Sequence, residues 1–174
     1  MLQLSNTFLG KPVLSLRTGG QIAVITEMII NPNNLKIEGF YCEDRFNKSQ
    51  LVLVAQDIRD QIDQGIVVND HEVLVDAGEL IRLKSVLKLR FAITGKPVVT
   101  VNKHRLGKIT DFAVDDQTLY VQKLYVGQSV LKSLSIGSLS IDRSQIVEIT
   151  DSKIIVQEPL KPVKVTLSGA PAAS

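Results

Sequence analysis

The chain of 174 residues has no tryptophan, one cysteine, two histidines and only 5% aromatic residues. Cys42 alone excludes an intramolecular disulfide or a thiolate cluster, and its place in the apolar run Phe40-Tyr41-Cys42 predicts a small core residue. The shortage of aromatic rings argues against stacking platforms for sugars or single-stranded nucleic acid. His71 and His104 lie far apart in polar, loop-like stretches, and Lys103 and Arg105 on either side of His104 would repel a metal cation. Both histidines are therefore expected to be solvated turn residues. Nucleophile-elbow, phosphate-loop, dinucleotide-binding and zinc-ligand spacings are absent, so neither enzymatic activity nor a cofactor or metal is expected. No apolar run approaches the roughly eighteen residues that cross a bilayer, and MLQLSNTFLG has neither a basic nor an apolar leader region. The expectation is a cytoplasmic protein without a transmembrane segment. A net charge of +2 is too small to attract nucleic acid through the global field.

What is present is a core's worth of apolar material, 44% of residues, written as a pattern that occurs twice. GKPVLSLRTGGQIAVITEMIINPNNLKIEGFYC from Gly10 is echoed by GKPVVTVNKHRLGKITDFAVDDQTLYVQKLYV from Gly95, with one residue fewer in the first turn. Val13, Ile22, Val24, Met28 and Ile30 recur with the alternation of a strand, and Asn31-Pro32-Asn33-Asn34 then breaks it. Leu35, Ile37, Gly39 and Tyr41 form the return strand of a hairpin. The second copy runs through Ile109, Phe112 and Val114, the turn Asp115-Asp116-Gln117-Thr118, and Leu119, Val121 and Leu124. Each copy closes on an isoleucine followed, after seven intervening residues, by Ile66-Val67-Val68 or Ile154-Ile155-Val156. Five or six short strands per copy predict two small all-β units, and closure into barrels would remove their exposed edges.

Between the copies the period changes. Asp76-Ala77-Gly78-Glu79 reads as a capping box, and Leu80, Leu83 and Leu87 form the stripe of a linker helix over residues 77–90 packed on a barrel. The expected division is a first unit over 1–76, the helix, a second unit over 91–158, and a tail over 159–174 whose Pro, Ala, Ser and Gly predict flexibility at its end.

With GKPV at Gly10 and Gly95, the hairpin, Asp57-Ile58 and the closing IVV or IIV strand in this order twice, the sequence resembles the PRC-barrel family over about residues 8–157. That family is named for the photosynthetic reaction-centre H subunit and is also found at the C-terminus of the ribosome maturation factor RimM. The resemblance implies a stand-alone pair of tandem PRC-type β-barrels joined by a short α-helix, acting as a non-enzymatic adaptor or assembly module that docks a protein partner. The family's first turn usually carries paired glycines. Copy one keeps Gly20 with Ala23 at the second place, and copy two keeps Gly107 with His104 at the first. If that first place needs a left-handed backbone, His104 must adopt it or the turn must differ. Copy two also has Gln145-Ile146 where the family prefers Asp-Ile.

Three surfaces invite a role. Lys96, Lys103, His104, Arg105 and Lys108 surround the first turn of copy two, a candidate phosphate-binding patch that makes RNA or the ribosome the rival partner. Tyr41 and Tyr125 occupy matched positions and are expected in core or seam packing between the barrels. Asp111, Asp115 and Asp116 lack the spacing of a calcium loop and are expected to serve a hairpin tip. A cleft between barrels would offer a third role, small-molecule binding, and similar surfaces on matched barrels would suit a homodimer.

Overall fold

The computed structural model of the chain describes residues 1–127 and 139–158. The expected flexible tail, 159–174, lies outside the described residues. Among the described residues the strands are, in chain order, β1 (Leu2–Leu4), β2 (Pro12–Ser15), β3 (Gln21–Asn31), β4 (Lys36–Asp44), β5 (Gln50–Val54), β6 (Ile58–Ile62), β7 (Gly65–Val68), β8 (Leu74–Val75), β9 (Pro97–Thr100), β10 (Arg105–Asp115), β11 (Val121–Gly127), β12 (Leu139–Asp142), β13 (Ile146–Ile149) and β14 (Ile154–Val156), with one α-helix, α1 (Lys84–Leu89). The protein is mostly β, as its alternating apolar pattern predicts.

The strands form two seven-stranded sheets. One has the order β6-β7-β2-β3-β4-β5-β8; the other has β13-β14-β9-β10-β11-β12, with β1 added alongside β10. In both, the strand after the glycine is antiparallel to the long strand and parallel to the closing strand: β2 with β3 and β7, β9 with β10 and β14. The same backbone bond anchors the start of each copy, Gly10 N–H to the Ile25 carbonyl and Gly95 N–H to the Ile109 carbonyl, each 2.8 Å.

The sheets meet through their hairpin turns. Ile37 N–H donates to the Leu119 carbonyl (2.8 Å) and Val121 N–H to the Leu35 carbonyl (2.9 Å), a reciprocal bridge around Lys36 and Tyr120. Leu35 and Leu119 are equivalent residues, each in the left-handed region with φ of 55° and 60°. Each closes its turn by donating to Asn31 or Asp115, both at 2.8 Å. Behind these turns a single hydrophobic cluster draws on both copies, from Val13, Ile37, Phe40 and Leu53 to Val98, Ile109, Leu124 and Ile154. Phe8 stacks on Phe40 with centroids 5.8 Å apart. Burying an aromatic or branched side chain of this size contributes about 1.5–3 kcal/mol.

Two elements differ from expectation. The first strand crosses the division at residue 76: β1 pairs with β10, Leu2 opposite Asp115 and Leu4 opposite Ala113. The linker is helical only over Lys84–Leu89, not over 77–90. Asp76 makes no side-chain cap; its carbonyl accepts from Glu79 N–H (3.0 Å) and closes a 3-10 turn over Ala77–Glu79. Gly78 in this stretch disfavours continuous helix. The leucine stripe does pack on the first sheet: Leu80, Val86 and Leu87 cover Ile29, Tyr41 and Val52.

Candidate functional site

The first turn of copy two is built on Thr100, whose hydroxyl accepts from His104 N–H (3.1 Å) and whose N–H donates to the His104 carbonyl (2.9 Å). Lys103, with φ of 67°, takes the left-handed position that Gly19 holds in copy one with φ of 72°. The strained residue is thus Lys103 and not His104. In both copies the left-handed residue stands one place before the family's first glycine position, Gly19 before Gly20 and Lys103 before His104.

His104 is an exposed turn residue, its side chain 71% exposed, and it has one polar neighbour. Its Nδ1 lies 3.2 Å from Glu158. The Thr100 hydroxyl foremost, then Asn102 and the charge of His104, hold the Glu158 carboxyl below its usual value against the cost of its desolvation. Copy one has a matching device: Ser15, equivalent to Thr100, donates to Asp70 (3.0 Å), and Arg17 pairs with the same carboxylate (3.1 Å). The His71 N–H foremost, then Ser15 and Arg17, lower the Asp70 carboxyl in the same way. Lys96 is turned to other work. Its ammonium donates to the Asp151 carbonyl (2.5 Å) and lies over the Phe91 ring, as Lys11 lies over Phe8. Lys103, Arg105 and Lys108 are exposed, and among the described residues no acidic group pairs with them.

His71 departs from the expected solvated turn residue, for it ties down a buried carboxylate. Its Nε2 is 2.8 Å from Asp44 Oδ1, and the Asp44 side chain is 2% exposed. Burial pushes the Asp44 carboxyl up; bonding to His71, the Phe46 N–H and the charge of His71 outweigh this and hold it low. Phe46 meets the His71 ring edge-on at 5.5 Å. The link joins the β4–β5 turn to the segment after β7. Cys42 is a core residue, as its sequence context predicts, and burial pushes its thiol up to about 12.

Tyr41 is buried under the linker against Ile29 and Val52, so it packs there and not at a seam between the copies; Tyr125 is half-buried. Thr26 and Thr110 donate to their respective carbonyls, both at 3.2 Å. The acidic triplet serves the hairpin and the first strand. Asp115 accepts from Thr118 N–H (2.8 Å) and Gln117 N–H (3.1 Å), Asp116 from the Met1 ammonium (2.9 Å) and Gln3 (3.2 Å), and Asp111 from Ser5. Among the described residues no group of three or more His, Cys, Asp or Glu is placed to hold a metal ion.

The feature hardest to anticipate lies on either side of the reciprocal bridge. In copy two the Arg143 guanidinium donates to the carbonyls of Val121 (3.2 Å) and Asn34 (2.5 Å) and sits 4.9 Å over the Tyr120 ring. In copy one the residue at the same place, directly after β5, is Ala55, and a cleft of about 310 Å³ opens there between β6 and the Asp115–Leu119 turn. Only the composition of the two 3-10 turns, Ala55-Gln56-Asp57 against Arg143-Ser144-Gln145, carries a signal of this difference. No helix among the described residues is long and apolar enough to cross a membrane. No family model matches this chain, and no curated protein matches it either.

Proposed function

We propose that the protein is a non-enzymatic protein-binding adaptor or assembly module built on a duplicated PRC-type barrel, the two sheets being two tandem barrels. The observation that carries the reading is the pair Leu16 and Val101, 61% and 50% exposed. They stand at equivalent places, each donating its N–H to the closing strand, Leu16 to Val68 and Val101 to Val156, both at 2.9 Å. Apolar residues scattered singly on a surface mean little, but a repeated pair fixed by the same backbone bond supports a contact surface. The polar groups nearby are engaged in holding the turns, Ser15 with Asp70 and Arg17, and His104 with Glu158. The test is affinity capture with the full chain, with and without nuclease. A partner retained at high salt and lost with Leu16→Asp or Val101→Asp supports the adaptor. Retention of that partner by both variants sinks this surface.

The rival reading, RNA or ribosome association, draws on Lys103, Arg105 and Lys108. Three phosphate contacts would make affinity fall steeply with salt. Charge reversal at Lys103 and Arg105 that leaves an RNA gel shift unchanged would remove it.

A further inference from the structure

We infer that the cleft beside Ala55 is a binding site for a guanidinium group, and that the second copy already contains the filled version of the same site. The correspondence is residue by residue. Ala55 replaces Arg143, each the first residue of the 3-10 turn after its strand. Thr118 is the equivalent of Asn34, and Ile37 of Val121, because the two hairpin turns are related by the reciprocal bridge, and Thr118 lies between Gln117 and Leu119, which line the cleft. Among the described residues no donor reaches the Thr118 carbonyl. Thus copy one retains the acceptor positions and lacks the side chain that serves them.

A second, independent observation points the same way. Gln61 lines the cleft, and its Nε2 donates to the Asp116 carbonyl at 2.7 Å. A carbonyl can only accept, so this bond fixes which way the amide faces. Among the described residues its Oε1 is left buried and without a partner. A buried acceptor without a donor is destabilising, and a donor that reaches it is favoured. In copy two the equivalent residue is Ile149, opposite Ile154 as Gln61 is opposite Ile66, and it makes no such demand.

Charge selects the same ligand. Asp60 and Asp116 line the cleft, and the cation among its walls is Arg59. Arg59 is directed to Asn69, with Nε donating at 3.0 Å. Asp116 is shared with the Met1 ammonium and Gln3. The twin's aromatic face is missing, since Tyr120 is replaced by Lys36, whose ammonium lies 5.7 Å over the Tyr120 ring and does not line the cleft. A planar fork of donors matches several fixed acceptors at once, which a single ammonium cannot do. The site therefore takes an arginine side chain of a partner or a free arginine-like molecule. It stands on the cleft alone and does not depend on the adaptor reading.

The experiment is a titration of the full chain, followed by amide proton–nitrogen correlation spectra, with N-acetyl-arginine-amide, its citrulline and lysine counterparts, and free L-arginine. The expected result is saturable shifts over Ala55–Gln61 and Asp116–Leu119 with the arginine amide. The citrulline probe, which has the same shape without the charge, is expected to bind at least about tenfold more weakly, the loss of one charge-assisted hydrogen bond. Ala55→Arg, which supplies the occupant from within, is expected to abolish the shifts; Gln61→Leu, which removes the free acceptor, is expected to weaken binding about tenfold. Tighter binding of free L-arginine than of the blocked amide identifies a small-molecule source, and the reverse identifies a partner's side chain. Absence of shifts with either arginine probe, equal binding of citrulline, or unchanged binding by a folded Ala55→Arg or Gln61→Leu protein overturns the inference.

Discussion

Beside the hairpin bridge, copy two commits an arginine to two backbone carbonyls and a tyrosine ring, whereas copy one places Ala55 there and leaves the space open. At the first turns the relation is reversed. Copy one uses Gly19 for the left-handed backbone, and copy two forces Lys103 into it. Yet the strand order and the parallel pairing of β2 with β7 and β9 with β14 are the same. What the copies share is therefore the backbone bonding and the apolar interior. Side chains at the corners are free to differ, and a difference there changes what the surface can bind without changing the fold.

The strongest way to break the comparison is through the shared interior. Phe40 and Leu124 are equivalent and fully buried. Phe40→Ala should cost about 3–5 kcal/mol and Leu124→Ala about 2–5 kcal/mol. Since one cluster spans both copies, both substitutions are expected to lower a single thermal or urea transition. Two transitions, each moved by only one substitution, would mean that the copies unfold separately.

The next effect belongs to copy one. His71→Ala leaves the Asp44 carboxylate buried without its 2.8 Å partner, and should cost about 1–3 kcal/mol. The pH dependence has a definite sign. The folded Asp44 carboxyl is held below its ordinary 3.8, so the unfolded chain binds more protons in acid. Its contribution is complete above that ordinary value and is lost as pH falls through the folded one. Asp44→Asn should flatten this acid limb in urea titrations run at successive pH values. An acid limb as steep as that of the unaltered protein would show that Asp44 contributes no linkage.

Much of this is legible in the sequence because it is encoded locally. Alternating β-branched residues mark the strands, and Asn31-Pro32-Asn33-Asn34 and Asp115-Asp116-Gln117-Thr118 mark the turns between them. The crossing of β1 is not legible in this way, although Leu2-Gln3-Leu4 and Leu87-Lys88-Leu89 stand equally far ahead of Gly10 and Gly95. The first triplet is a strand against β10, while the second ends α1 against the first sheet. Identical leucine spacing thus has two outcomes, decided by the neighbour that each triplet meets and not by its own propensity. The same holds for His71, whose partner Asp44 is in another hairpin, and for Arg143, whose acceptors include Asn34 in the other copy. Pairings over such separations leave no periodic trace.

Arg143 supplies the third test. Arg143→Ala removes two hydrogen bonds and a cation–π contact, with an expected cost of about 1–2 kcal/mol, since water regains part of the carbonyl bonding. Arg143→Lys should recover less than half of the loss, because an ammonium cannot serve both carbonyls in the plane of the ring. Full recovery in denaturant titrations would reduce the contact to simple charge.

The smallest effect tests the turns themselves. A non-glycine residue in the left-handed region is held there at a cost of about 1 kcal/mol, and glycine removes that cost while adding freedom to the unfolded chain. Lys103→Gly should therefore stabilise the protein by only ~0.5 kcal/mol. Gly19→Ala should destabilise it by about 1 kcal/mol through backbone strain, since a Cβ at Gly19 meets no atom within 4 Å. Opposite signs in matched denaturant titrations would identify the two residues as holders of one backbone position. A stability loss with Lys103→Gly would show instead that the lysine side chain contributes more than its backbone costs.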